Sequence, residues 1–218
     1  MTLVLATENR HKWQEIQSIL GGGADLVVRT LADYPGVTLP PEMGATYREN
    51  AAAKATFVAR ATGEWAMGDD SGLEVDALNG APGLYSARFA GVGASYADNQ
   101  KKLLESLDDL PDEKRTARFI CTVALAGPAG SIDIVEGVCP GRIARAESGD
   151  GGFGYDPIFF LPEYGKTFAE LAPSEKNKVS HRGQAVRAAL AIWMSVSGHP
   201  LFNSPTLKPE DACFLTRQ

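Results

Sequence analysis

The chain opens on an apolar run, Leu3-Val4-Leu5-Ala6, that passes through Thr7-Glu8-Asn9 into a helical repeat. Trp13, Ile16, Ile19 and Leu20 fall on one helical face, and Gly21-Gly22-Gly23 ends the pattern. A strand that leads within a few residues into an amphipathic helix restricts the chain to folds that pack helices against a sheet.

The same mixture continues downstream. Leu26-Val27-Val28 reads as a second strand, and residues 33–45, rich in Pro and Gly, read as a loop. Residues 46–61 form an Ala-rich helix with Tyr47, Ala51, Ala55, Val58 and Ala59 on one side. Trp65-Ala66-Met67 reads as a strand that delivers Asp69-Asp70-Ser71-Gly72 to a turn, with another short strand over 73–78. Asn79-Gly80-Ala81-Pro82-Gly83 has strong turn chemistry. Residues 95–107 form a third helix with Ser95 as N-cap. Residues 118–126 and 132–139 pair as an antiparallel hairpin across Gly127-Pro128-Ala129-Gly130. A glycine-rich loop over 149–156 precedes the strand-like Ile158-Phe159-Phe160, and residues 184–196 make the last helix. The expected fold is α/β, a mixed sheet with helices on its faces.

Length and composition set bounds. A chain of 218 residues suffices for one sizeable core, and no linker or internal repeat divides it. From Gly198 onward Pro200, Pro205 and Pro209 work against a regular element, so 198–218 reads as a C-terminal extension with no assigned role. The net charge of −6 argues against a coat for nucleic-acid backbones, which needs a basic surface. Cys121, Cys139 and Cys213 are odd in number and include no CxxC, so they indicate neither a disulfide framework nor a zinc knuckle; reduced thiols in a cytoplasmic protein are the expectation. Glu8, Arg10, His11, Lys12 and Glu15 leave no signal-peptide apolar core, and no apolar run nears the ~20 residues that span a bilayer.

Four segments carry chemistry. In Asp69-Asp70-Ser71-Gly72, adjacent carboxylates at a strand end need water, a cap or a cation. Alternation along a strand points them differently, so one can face a metal while the other holds the turn; an Asp-rich turn is an equal reading. Thr7-Glu8-Asn9-Arg10-His11-Lys12 sits at a helix start, where free N–H groups attract anions, and Lys12 lies about one turn inside. It lacks the glycines of a Walker A loop, and a plain N-cap explains it as well. Gly151-Gly152-Phe153-Gly154-Tyr155-Asp156 places two aromatic rings in a flexible frame, either to stack on a base or to fold into the core. In residues 174–183, Lys176, His181 and Arg182 are donors for phosphate or base, or a solvated start to the last helix with Ser180 as N-cap. Glu42 in the Pro-rich loop, and Asn50 and Lys54 four apart on one helical face, complete the set.

Taken together, LATENRHKWQEI, YRENAAAKA, DDSGLEVDALNGAPGLYSARFAG, GGFGYDPIFF and SEKNKVSHRGQA resemble the inosine triphosphate pyrophosphatase family, in the family's order and over residues 3–190. The resemblance implies an elongated mixed sheet in two lobes with a nucleotide cleft between them, built as a single pyrophosphatase domain over 1–197. It implies a homodimer, a Mg²⁺ requirement and hydrolysis of ITP, dITP and XTP to the monophosphate and pyrophosphate. By position, it makes Thr7, Glu8, Asn9, Arg10, His11 and Lys12 the triphosphate loop. Asp70 becomes the proton acceptor and a metal ligand, with Glu42 the second metal carboxylate and Asp69 an auxiliary group. Ser71 and Lys54 become phosphate-side contacts. Phe153, Gly154, Tyr155, Asp156, Lys176, His181 and Arg182 become the base- and substrate-recognition set. Donors from His181 and Arg182 reward the 6-carbonyl of hypoxanthine and xanthine and leave adenine mispaired. Glu8 departs from the family's usual small residue, and Gly68 stands where an alanine commonly precedes the acidic pair. A pyrophosphatase of modified pyrimidine or canonical nucleotides, and a nucleotide-binding regulatory module without turnover, are the alternatives.

Overall fold

The computed structural model of the protein describes residues 2–21 and 26–197. They form a seven-stranded mixed sheet and five α-helices. The strands are β1 (Thr2–Leu5), β2 (Val27–Thr30), β3 (Trp65–Val75), β4 (Thr116–Ala126), β5 (Ile132–Ile143), β6 (Phe159–Leu161) and β7 (Lys166–Thr167). The helices are α1 (Arg10–Leu20), α2 (Tyr47–Thr62), α3 (Tyr96–Ser106), α4 (Pro173–Val179) and α5 (His181–Ser197). The order across the sheet is β2-β1-β3-β4-β5-β6-β7.

β1 lies between β2 and β3 and runs parallel to both, with Leu3 opposite Val28 and Trp65. An interior strand covered on both faces has no use for polar alternation, which is why Leu3, Val4 and Leu5 are all apolar and all buried. Beyond the hairpin, β5 pairs antiparallel with β6, Arg142 facing Phe160, and β6 with β7. The connection 127–131 is closed by the Gly127 N–H donating to the Ser131 carbonyl at 2.9 Å, and so short a link joins only antiparallel neighbours.

By compactness the chain divides into two units. One holds residues up to Asp70, Thr122–Glu136 and the chain from Gln184; the other holds Ser71–Cys121 and Gly137–Gly183. One buried cluster of the first unit is built from small residues, Val4, Ala6, Ala51, Ala55, Val58, Ala59, Ala66, Ala124 and Ala126, beside the larger buried side chains Leu3, Leu5, Ile16 and Met67. The core of the second includes Leu73, Leu103, Phe119, Phe159 and Phe168. Within it Arg115 is buried, its guanidinium donating to the carbonyls of Leu107, Ile143 and Ala144.

Alanines in α2 let the helix come very close to β3. A Cβ on Gly68 would stand 2.6 Å from the Ala51 carbonyl oxygen and 2.8 Å from the Ala55 nitrogen. The alanine that the resemblance expects at this position therefore has no room here. This close approach matters because Asn50 and Lys54 ride on the same helix.

Most expected elements are present, with three corrections. The segment 69–72 is no turn: Asp69, Asp70, Ser71 and Gly72 lie inside the single strand β3, and 76–78 is a 3-10 turn instead of strand. The Asp-rich turn reading required the side chains to bond the local backbone, whereas here they reach other elements and leave the strand extended. The last helix starts at His181, three residues earlier than expected, after a seven-residue helix α4 that the polar segment hid. Ser180 caps α5 by accepting from the Gly183 N–H at 3.1 Å. The second strand sits slightly later than Leu26-Val27-Val28. Ser95 is the N-cap of α3, as expected, in a reciprocal box with Asp98. Gly21 caps α1 with φ 65°, while Gly22, Gly23 and the extension 198–218 lie outside the described residues.

Replacing Gly68 by alanine should cost about 1–3 kcal/mol, the range for overpacking a close contact. Thermal unfolding of Gly68→Ala measures this, and a Tm equal to that of the parent would contradict the packing.

Candidate active site

In the first unit, five charged side chains converge. Asp69 and Asp70 are adjacent in β3 and only 1% and 7% exposed. The Lys12 ammonium, from α1, lies 3.0 Å from Asp69 Oδ2. The Lys54 ammonium, from α2, lies 2.5 Å from Glu42 Oε1. Asn50, one helical turn before Lys54, donates from Nδ2 to Asp70 Oδ2 at 2.9 Å. Its Oδ1 accepts the Gly44 N–H at 2.8 Å, so the amide also ties the Glu42 loop to α2. That backbone donor sets the orientation of the amide and leaves its NH₂ facing Asp70.

Electrostatics follow from burial and from these neighbours. Burial raises the Asp70 pKa above the ordinary carboxylate value; Lys54, the Asn50 hydrogen bond and Lys12 pull it back without cancelling the rise, and Glu42 adds to it. Burial alone would depress Lys54, but the charges of Asp69, Asp70 and Glu42 outweigh it and hold the ammonium above the usual lysine value. Two ammoniums, Lys12 and Lys54, thus lie among the buried carboxylates Asp69 and Asp70 and the exposed Glu42.

The helix start at residues 7–12 is an N-cap as well. The Asn9 carboxamide oxygen accepts the N–H groups of His11 and Lys12 at 3.0 and 3.2 Å, and Thr7 Oγ1 accepts that of Asn9. Thr7 is buried, while Glu8, Arg10 and His11 are exposed. Two of the backbone donors that an anion would meet are therefore already engaged, and Lys12 brings the positive charge inward to Asp69.

In the second unit the recognition candidates assemble around one ring. Phe153 is half-buried. Lys176 Nζ lies 5.3 Å from its centroid and the Arg182 guanidinium 5.5 Å. Asp156 Oδ2 accepts from the Phe153 N–H at 2.7 Å and meets Lys176 Nζ at 2.5 Å. Arg182 also donates to Ser71 Oγ at 3.0 Å, which places Ser71 beside the ring's cations. His181 stacks on Phe119, with centroids 4.6 Å apart and planes 9° from parallel. Tyr155 takes the core alternative: it is buried in the aromatic core, its hydroxyl donates to the Ser86 carbonyl at 2.8 Å, and burial raises its pKa. Gly154 adopts φ 65°, a conformation that favours glycine and turns the loop between the two rings.

Two residues of the sites were given no role by the sequence. Asn50 was visible only as a polar residue on an alanine face; a buried amide there signals a partner, but not which one. Gln100, on α3, donates to the Gly154 carbonyl. Nothing in its local sequence marks it, because its partner is 54 residues away.

Oxygen-only donors suit Mg²⁺, which takes one or two carboxylates and completes its shell with water and phosphate. Asp70 and Glu42 are such donors, and a cation would favour the ionised form of Asp70 that burial disfavours. Among the described residues no three His, Cys, Asp or Glu are grouped closely enough to cage a metal. No helix among them is long and apolar enough to cross a membrane.

The Asp156–Lys176 pair is buried, so removing one member should be costly. Lys176→Met should destabilise by about 3–5 kcal/mol, and Lys176→Met/Asp156→Asn should recover most of that. Chemical denaturation of the two variants checks it; equal losses would mean the pair is not coupled.

Comparison with known proteins places the chain in a family. The model of the Ham1 family matches residues 3–192. A dITP/XTP pyrophosphatase of Desulforamulus reducens is 50% identical over 192 residues, 88% of this chain and 95% of that protein. One of Geobacillus kaustophilus is 46% identical over 196 residues, 90% and 96% of the two chains. The structure of a HAM1 protein from Coxiella burnetii superposes with a TM-score of 0.80 at 41% identity, covering 89% of this chain and 99% of that one. A nucleoside-triphosphatase / dITP/XTP pyrophosphatase from Mycobacterium abscessus gives 0.69 at 44% identity, covering 87% and 99%. The chain, matched along nearly all of its described length, belongs to the Ham1 family.

Proposed function

We propose that this protein is a dITP/XTP pyrophosphatase that hydrolyses non-canonical purine nucleoside triphosphates to the monophosphate and pyrophosphate. The observation that carries the reading is Asp70, a buried carboxylate held by Asn50 and flanked by the charges of Lys12 and Lys54. The names of the relatives, at 46–50% identity over most of the chain, support the same reaction.

In this reading water attacks the α-phosphorus, the bond to the bridging oxygen of the β-phosphate breaks, and Asp70 takes the proton from the water. The Asn50 amide bonds one carboxylate oxygen and so holds the group in place for that transfer. Lys12 and Lys54 face the phosphate chain, where their ammoniums offset its charge. The raised pKa of Lys54 keeps it cationic throughout neutral pH. Thr7 to Lys12 follow the chain of phosphates. Glu42 and Asp70 would hold Mg²⁺, which when bound supplies charge neutralisation on the phosphate oxygens.

The base stacks on Phe153, with Lys176 and Arg182 beside the ring and Asp156 fixing the loop. His181 and Arg182 donate to the 6-carbonyl, Gly154 and Tyr155 shape the loop, and Ser71 completes the substrate contacts. Residues 1–197 act as one pyrophosphatase domain with two lobes around a nucleotide cleft, as a cytoplasmic homodimer; 198–218 extend it without an assigned role.

Three outcomes follow. Asp70→Asn should lower turnover by about 10²–10⁴-fold, the range for losing a positioned base, while Tm holds, because burial already disfavours the charge it removes. Near-parental pyrophosphate release from that variant would sink the assignment. Phe153→Ala should raise KM for ITP by roughly 5- to 100-fold, the equivalent of ~1–3 kcal/mol of stacking. A panel of ITP, dITP, XTP, GTP, ATP and dTTP tests the substrate class, and dTTP turnover above that of dITP would favour the pyrimidine alternative.

A further inference from the structure

The Phe153 loop is held from outside the recognition set as well as from within it. Within, Asp156 takes the Phe153 N–H and Lys176. From outside, α3 makes two contacts. The Gln100 side chain, itself buried, donates to the Gly154 carbonyl, and the Tyr96 ring lies 6.0 Å from that of Phe153 at 48°. Gly154 is the one residue between Phe153 and Tyr155, and its left-handed φ leaves its carbonyl as the handle that sets the loop's path.

α3 is in turn well anchored. Ser95 and Asp98 cap its start reciprocally. Asn99, next to Gln100, accepts the Ala90 N–H at 2.7 Å and donates to the Ala87 carbonyl at 3.3 Å. Tyr155, on the far side of Gly154, is fixed to Ser86 in the same 83–90 segment. The two ends of this arrangement therefore close on one another: α3 grips the segment that grips Tyr155, and Gln100 grips the peptide between Tyr155 and Phe153. Such a closed set of hydrogen bonds can hold a ring at one height and tilt, although the loop around it carries three glycines at 151, 152 and 154.

We infer that Gln100 is a positioning residue for base recognition, acting with Tyr96 to pre-set the Phe153 ring on which the purine stacks. This rests on the reading of Phe153 as the base platform. Gln100 touches no reacting atom, so its loss should appear as weaker substrate binding and not as slower chemistry. A platform that must be ordered on each binding event costs affinity, whereas one ordered in advance does not.

The test uses the full chain and ITP hydrolysis with Gln100→Met, which keeps length and removes the donor, Phe153→Ala, and the double variant. Gln100→Met should raise KM roughly two- to tenfold, the equivalent of one net hydrogen bond, with kcat within about twofold of the parent. In the Phe153→Ala background the same change should add less than about twofold, because the ring it positions is gone. A KM for Gln100→Met that matches the parent, a fall in kcat in its place, or effects that multiply in full in the double variant would overturn the role of Gln100. An unchanged KM for Phe153→Ala alone would instead overturn the platform reading, so the two failures are distinguishable. If Gln100→Met does not fold, Tyr96→Ala takes its place under the same criteria, since Tyr96 is 40% exposed. Tyr96→Phe, which keeps the ring, should then restore KM, and failure to do so would count against the inference.

Discussion

Two carboxylates buried side by side in a strand are the constraint on which the first unit depends. Removing a charge from water costs several kcal/mol after relaxation, so Asp69 and Asp70 need partners that the strand cannot supply. Lys12 comes from α1, and Asn50 comes from α2, with Lys54 one turn further along it. Asn50 and Lys54 come this near the strand because α2 lies almost on β3, and α2 lies there because Ala51, Ala55 and Gly68 have little or no side chain between them. The smallest residues in the unit thus decide its electrostatics. Asp70 remains a carboxylate whose charge burial disfavours, a suitable state for the proton acceptor proposed above.

The second unit applies the same logic to a ring. Phe153 sits in a glycine-containing loop that would wander on its own. Asp156 stops that by taking a backbone N–H of the loop and the Lys176 ammonium at once. Each interaction needs the other: without Lys176 the carboxylate is buried and uncompensated, and without Asp156 the lysine is. Arg182 and His181 start α5, held between Ser71 on one side and Phe119 on the other. The donor-rich segment is therefore rigid and packed, which suits discrimination of a base by its hydrogen-bonding edge.

Local rules were sufficient for much of this. The continuous apolar run of β1 and the caps at Ser95 and Asn9 follow from periodicity and capping chemistry, and so does the alanine face of α2. The chemistry-bearing segments were recognisable because their residue types are unusual together. Local rules misread 69–72, since Asp and Ser bond their own backbone in most short peptides and only distant partners keep these extended. They missed α4 because a seven-residue polar helix has no apolar stripe to reveal it. Phe153 and Tyr155 could not be told apart by sequence, although one borders the cations and the other fills the core.

The amino-acid sequence by itself determined the element types, the α/β class and the family, because these depend on spacing and residue identity within short windows. Which carboxylate meets which cation, and which aromatic faces outward, was decided only in the tertiary structure. Asn50 and Asp70 are 20 residues apart, and Gln100 and Gly154 are 54 apart. No local propensity encodes contacts of that range; they exist because β3 and α2 pack through glycine and alanine, and because α3 is pinned where its glutamine can reach the loop.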